Sequence, residues 1–424
     1  MKYAVKERVI LRTLISGASI AQFGDVPGVC KKILACVVSA SVLLASAHAA
    51  DAELLPSPAA ENSSLSRVVS DESGNLYLSW VTQAEGSAGL YYSTLKETRW
   101  SKPQLVRRGE DWFINWADFP MLSVSEENKA AHWLRMSAEG TYDYDIEARF
   151  YDAQTDSWSD TITPHHDGVS AEHGFVSMLP VGNGNTLMSW LDGRKTKTEA
   201  GYGEMTLRAG IFSARGETLS EWELDARVCD CCQTSAAMSA AGPIVVYRDR
   251  SAEEIRDIYI MRYANGDWTP PAAIHDDQWE IAGCPVNGPA VAAQGNFVAV
   301  GWFTAKDDSP KVQLALSTDS GEHFSAPILV SGPDTIGRID TAILANGQVA
   351  VSWLDTIDET AELTVSRFSA GGSLIDTTVV ASMSASRRSG FPIIETIGDD
   401  LFVTWTDISE GPEVRVARID FASP

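Results

Sequence analysis

The strongest constraint on this chain is a segment that it writes seven times. Leu76-Tyr77-Leu78-Ser79-Trp80 returns as Ala131-His132-Trp133-Leu134, Leu187-Met188-Ser189-Trp190, Ile244-Val245-Val246-Tyr247 and Val298-Ala299-Val300-Gly301-Trp302. It returns again as Val349-Ala350-Val351-Ser352-Trp353 and Leu401-Phe402-Val403-Thr404-Trp405, at intervals of 51 to 57 residues. Apolar alternation at period two marks a strand, and an aromatic at its end marks a fixed packing position. A period near 50 residues points to a circular or stacked array of small sheets. The 424 residues therefore read as one domain of many sheets, against the two or three domains that length alone suggests.

Each unit follows one plan. A short first strand of small or apolar residues, such as Gly288-Pro289-Ala290-Val291, precedes the aromatic-ended strand. A polar loop, a third strand and a fourth strand that starts near a proline complete it. Four antiparallel strands per unit, repeated radially, manage sheet edges without a closed barrel. The expectation is an all-β, single β-propeller over residues 66–424 with seven four-stranded blades, six being the alternative count. The last unit ends at Val414–Ile419 without a fourth strand. Ala52-Glu53-Leu54-Leu55, at the start of an Ala, Pro and Ser-rich linker (50–65), can supply it and close the ring.

Residues 1–49 read as an export signal with a long n-region. Lys31-Lys32 precede the apolar run Ile33–Leu44, and Ala47-His48-Ala49 is a small-x-small cleavage site. The run is too short to span a bilayer. The expectation is a periplasmic or secreted protein with no membrane span. A formal net charge of −24 argues against nucleic acid as a partner.

The turns between third and fourth strands carry a second repeat. Blade 5 has Ser317-Thr318-Asp319-Ser320-Gly321-Glu322-His323-Phe324, with worn copies at Ser93–Trp100, Asp152–Trp158 and Ala264–Trp268. This Ser-x-Asp-x-Gly-x-x-aromatic turn resembles the Asp-box of the sialidase-like (BNR-repeat) β-propellers. The resemblance covers essentially all of the mature chain. It implies a retaining exo-sialidase type of glycoside hydrolase, with three arginines clamping a carboxylate, a Tyr–Glu nucleophile and an Asp acid/base. Guanidinium forks suit a carboxylate, and an oxocarbenium-like transition state requires negative charge beside it. The family's opening arginine motif is missing, since Asp118-Phe119-Pro120 and Gly390-Phe391-Pro392 lack the arginine. No catalytic residue carries over by matching. The candidates are Asp118, Glu172, Asp192, Tyr247 and Glu254. Ligand-binding candidates at the propeller mouth are Arg194, Arg248, Asp249, Arg250, Arg338, Asp340, His173 and Asn287, for a glycan or anionic small molecule.

A second constellation competes with the first. Cys229-Asp230-Cys231-Cys232 and Gly283-Cys284-Pro285 fall in equivalent loops of adjacent blades. Exported cysteines in even number suggest disulfides among Cys229, Cys231, Cys232 and Cys284. Three cysteines in four residues are awkward for relaxed bridges. The alternatives are a thiolate site for copper or zinc, completed by His173, or a redox-active pair. Paired histidines at His165-His166 and the Thr141–Asp145 stretch, with Tyr142 and Tyr144, also fall near this face. Three functions stay open: a glycan-directed propeller, a non-catalytic cysteine-based metal or redox protein, and an interaction scaffold.

Overall fold

The computed structural model describes residues 51–421 apart from 127, 154 and 359. The export-signal reading of residues 1–49 lies outside the described residues. Among the described residues, seven antiparallel sheets of four or five strands follow one another along the chain, beside one two-stranded ribbon, Lys197–Thr198 with Gly201–Tyr202. Blades 1 to 6 begin with the strands Ser63–Ser70, Met121–Val124, His173–Pro180, Ser235–Ser239, Ala290–Gln294 and Thr335–Ile343. Blade 7 contains Ile393–Ile397, Asp400–Asp407 and Glu413–Asp420, and its outer strand is Ala52–Leu55 from the opposite end of the described chain. Ala52 pairs with Ile419 and Leu55 with Val416. The first strand of blade 1 starts at Ser63, inside the stretch read as linker.

The recurring aromatic segment is the second strand of each blade, and its burial explains the repeat. Trp80, Trp133, Trp190, Tyr247, Trp302, Trp353 and Trp405 are each no more than 5% exposed. A sheet between two others buries both faces, so these strands read as near-continuous apolar runs. Full burial of a large apolar side chain stabilises by roughly 1.5–3 kcal/mol, and seven such anchors sit at equivalent positions. Indole N–H groups find acceptors where the sequence offers one: Trp190 donates to Asp192 at 2.8 Å, and Trp302 to Asp277 at 2.6 Å.

The Asp-box turn of blade 5 has the geometry its residues demand. Asp319 Oδ1 accepts the backbone N–H of Glu322 (3.1 Å) and of His323 (2.9 Å); the His323 N–H, then the His323 ring and Ser317 hydroxyl, hold its carboxyl well below the usual carboxylate range. Gly321 takes φ +80°, a backbone region open to glycine. Phe324 packs against the core between blades 4 and 5.

The first strands surround an axial cavity of about 580 Å³ lined from all seven blades. In blades 1, 3 and 6 these strands carry a bulge with a positive-φ residue, at Leu65, Phe175 and Arg338. Such bulges bend a strand end and re-aim its side chains. They lie at the end of the ring where the candidate site residues gather.

Ring closure rests on one four-residue strand. Deleting residues 51–60 is expected to lower the melting temperature by several degrees in a thermal scan. An unchanged transition would show that blade 7 holds with three strands.

Candidate functional site

The arginines expected to form an anion clamp are occupied by the chain itself. Arg194 forms a bidentate pair with Asp192, at 2.7 Å from each carboxylate oxygen. Arg250 pairs with Glu254 at 2.7 Å and with Asp230 at 3.2 Å. Arg338 is 5% exposed and donates to the carbonyls of Ser386, Gly390 and Ala385 and to Ser389 Oγ, at 3.0–3.3 Å, with its guanidinium 5.0 Å from the Trp116 ring centroid. Asn287 is also structural, since its Oδ1 accepts the Arg338 backbone N–H at 2.7 Å. Asp340 accepts the backbone N–H groups of Thr341 and Ile394.

Arg248, like Arg338, is buried with neutral acceptors and an aromatic ring face, the Trp279 ring centroid being 5.0 Å from its guanidinium. It is 2% exposed, and it donates to three carbonyls, of Asn287, Arg256 and Phe303, at 2.6–3.0 Å. Carbonyls satisfy its N–H groups but not its charge, and among the described residues it forms no ion pair with a carboxylate. A buried charge demands a counter-charge nearby. Its charge acts on the thiols of Cys229 and Cys232.

Cys229, Cys231 and Cys232 bring their sulfur atoms within 4.8 Å of one another. Cys229 and Cys232 are buried, with Sγ atoms 2.6 Å apart; Cys231 is half-buried and Cys284 exposed. No disulfide joins the four in this structure. Arg256, 4% exposed, donates to Cys229 Sγ at 3.4 Å and to Glu254 at 2.8 Å. Burial pushes the Cys229 thiol up. Hydrogen bonds from Cys231 and Cys232 and the charge of Arg248 outweigh that and hold it well below the ordinary thiol value. Cys284, hydrogen-bonded to Cys231, is drawn down to about 7. Cys231 and Cys232 move up in return: one proton-poor sulfur is served by proton-holding neighbours.

His173 does not join the cysteines. It is fully buried, stacks on His165 with ring centroids 3.7 Å apart, and places Nε2 3.2 Å from Asp167 and 3.7 Å from Asp192. The His165 Nε2 accepts the Ile146 N–H, which leaves its Nδ1 proton to face Asp167.

Of the catalytic candidates, Tyr247 is buried and donates to Asp225 at 2.5 Å, and Asp192 is fully buried in its pair with Arg194. Glu254 is held down to about 2 by Arg250 and then Arg256, despite some burial. Asp118 and Glu172 do meet, through Tyr144, whose hydroxyl lies 2.6 Å from one carboxyl and 3.1 Å from the other. One phenol proton cannot serve both. Burial raises Asp118 to about 7, and burial followed by the charge of Asp118 raises Glu172 to about 8. Asp118 and Tyr144 are each 1% exposed, so only Glu172 reaches the mouth. Asp249, beside Asp225, is likewise raised to about 7, burial being the main cause.

Arg256 and Arg67 escaped sequence reasoning, and the role of Gln233 did too. Arg256 lies three residues before Tyr259 in a polar loop whose course no local pattern reveals. Gln233 spans the mouth, donating to Ala117 and accepting from Gly288. Arg67 lines the axial cavity, with Asp340 and Glu395 the nearest charges to it.

No family model matches the sequence, and no curated protein matches it. Solved structures do match in fold. A Mycobacterium tuberculosis puromycin-hydrolysing peptidase is 9% identical with a TM-score of 0.51, over 88% of this chain and 55% of that one. A protein of unknown function from Dyadobacter fermentans is 10% identical with a TM-score of 0.49, over 88% and 98%. A Hadza microbial sialidase is 12% identical with a TM-score of 0.42, over 69% and 63%. The chain thus spans about half the peptidase's length and under two thirds of the sialidase's. At these identities the likeness is one of fold alone.

Two predictions follow from the site geometry. Arg338→Met strips four acceptors of a charged donor and is expected to cost at least about 2 kcal/mol in urea unfolding; an unchanged midpoint would leave Arg338 free for a ligand. Asp118 and Glu172 have folded pKa values above their unfolded ones. Their contribution is therefore complete below the unfolded carboxyl pKa and lost as pH rises through about 7 to 8. The melting temperature is expected to fall across that window, and to fall less in Glu172→Gln.

Proposed function

We propose that this is a propeller whose mouth binds a soft metal ion through the thiolates of Cys229, Cys231 and Cys232, copper(I) or zinc being the ions such a donor set selects. The observation that carries this reading is the buried Arg248, whose charge has no carboxylate partner, beside three gathered sulfur atoms. Thiolates supply the missing counter-charge, and thiolates are the metal-binding form of cysteine. Sulfur ligands about 2.3 Å from a tetrahedral ion stand roughly 3.8 Å apart. The observed sulfurs lie within 4.8 Å, and Cys229 and Cys232 would part by about an ångström on binding. The propeller ring is built from its own sheets, so the ion is not needed to hold the fold. An extracytoplasmic location belongs to the same proposal, supported by the leader-like residues 33–49.

The test is metal analysis of the mature chain by native mass spectrometry, after anaerobic loading with copper(I) and, separately, zinc. One retained ion in the wild type and none in Cys232→Ser is the expected result. A chain that is two mass units light, metal-free and without free thiols at Cys229 and Cys232 would replace the metal site with a disulfide between them.

A glycan ligand at the same mouth is the second reading. It is favoured by the exposed rings of Tyr142 and Tyr202, 57% and 70% exposed, and by Glu172, the accessible member of the Asp118–Tyr144–Glu172 group. Exposed tyrosines suit stacking on a sugar ring. Binding of a sialoside that is weakened at least about tenfold, or 1.4 kcal/mol, by Tyr202→Ala would support it. No binding across a panel of acidic and neutral oligosaccharides would remove it.

A further inference from the structure

We propose, building on the soft-metal reading, that the sulfur cluster is a transfer site and that Cys284 is the thiol through which the ion arrives and leaves. The four cysteines form a gradient from interior to solvent. Cys229 is fully buried and Cys232 2% exposed, Cys231 is half-buried, and Cys284 is exposed. Cys284 comes from the loop into the next blade, which packs on the segment before it: Ile281 N–H bonds the Glu254 carbonyl and Arg256 N–H the Trp279 carbonyl, and Arg256 in turn donates to Cys229 Sγ. A closed structural site has no use for a thiol on the outside of such a series, since structural sites bury their ligands and seal them. A site that exchanges its ion needs one.

The loop that carries Cys284 suits this role. It is tethered on either side, by the Ile281 N–H on the Glu254 carbonyl at 2.9 Å and by Asn287 on the Pro285 carbonyl at 3.2 Å. Between these ties lies Gly283, around which the nearest atom to an added Cβ would be 3.8 Å away. The backbone next to Cys284 is thus tied down on both sides and uncrowded at Gly283. Asp230 and Glu172 act on Cys284 electrostatically, as does Arg256, which donates to Cys229 Sγ.

The step is ligand exchange without a change of oxidation state. The Cys284 sulfur forms a bond to the ion while one bond from the ion to a donor's ligand breaks. The Cys284 proton, if present, goes to solvent. The Cys231 sulfur then forms its bond and Cys229 and Cys232 follow, each thiol proton going to solvent as the donor's remaining bonds to the ion break, and last the Cys284 bond breaks, leaving three sulfur–metal bonds. Departure is the reverse sequence, with an acceptor in place of the donor.

Cys284→Ser tests this in the full mature chain loaded with one equivalent of copper(I). The readout is stopped-flow transfer to the colorimetric chelator bicinchoninate, alongside the copper content at equilibrium. The variant is expected to hold one copper, to melt as the wild type does, and to release it at least about tenfold more slowly, because exchange rate follows thiol access. Unchanged release would overturn the proposal. Loss of stoichiometric copper from Cys284→Ser would overturn it too, making Cys284 a permanent ligand. A wild-type chain that holds no copper would instead fail at the soft-metal reading itself, before any rate is measured.

Discussion

Seven twisted sheets hold a ring only if each packs face to face on both neighbours, and the seam where the two ends of the described chain meet is the place where that packing can open. Here the seam is closed by four residues, Ala52–Leu55, paired along Val416–Ile419. Trp80 of blade 1 and Val414 and Val416 of blade 7 then share one core across the join. Everything at the mouth depends on this. The loops that carry the cysteines, arginines and carboxyls come from different blades, so their mutual distances are set by the ring and not by local sequence.

Within that frame the mouth is governed by the cost of burying charge. Arg194 and Arg250 meet it with carboxylates. Arg338 has only neutral acceptors and an aromatic ring face, and so does Arg248. Its N–H groups knit the loops at Asn287, Arg256 and Phe303 together, which fixes blade 4 against blade 5. Its charge is left to the cysteines. The same side chain therefore positions the loop that leads to Cys284 and favours thiolate at Cys229. Removing it would disturb both at once, so cysteine variants are the cleaner probes.

Legibility from sequence tracked locality. The strand repeat was readable because each blade solves the same burial problem with the same pattern, and the Asp-box because its hydrogen bonds close within five residues. The surroundings of the arginines are less legible for the converse reason. Arg248 and Arg338 reach groups mostly 39 or more residues away, such as the carbonyls of Asn287 and Ser386, while Arg194 pairs with a carboxylate two residues before it. Nothing in residue type distinguishes a guanidinium that waits for a ligand from one already filled. His173 was placed with the cysteines on shared location, whereas its ring lies against His165 and the blade 3 aspartates.

The sequence by itself determined that this chain is a seven-bladed ring of four-stranded sheets, since period, alternation and terminal aromatics admit few other ways to bury so many equivalent strands. It also placed Cys229, Cys231, Cys232 and Cys284 in facing loops. Only the tertiary structure decided which charges are spent and which are not. That is a property of distances between blades, where a carbonyl can satisfy a hydrogen bond but cannot neutralise a buried charge, and where burial itself shifts the balance between thiol and thiolate.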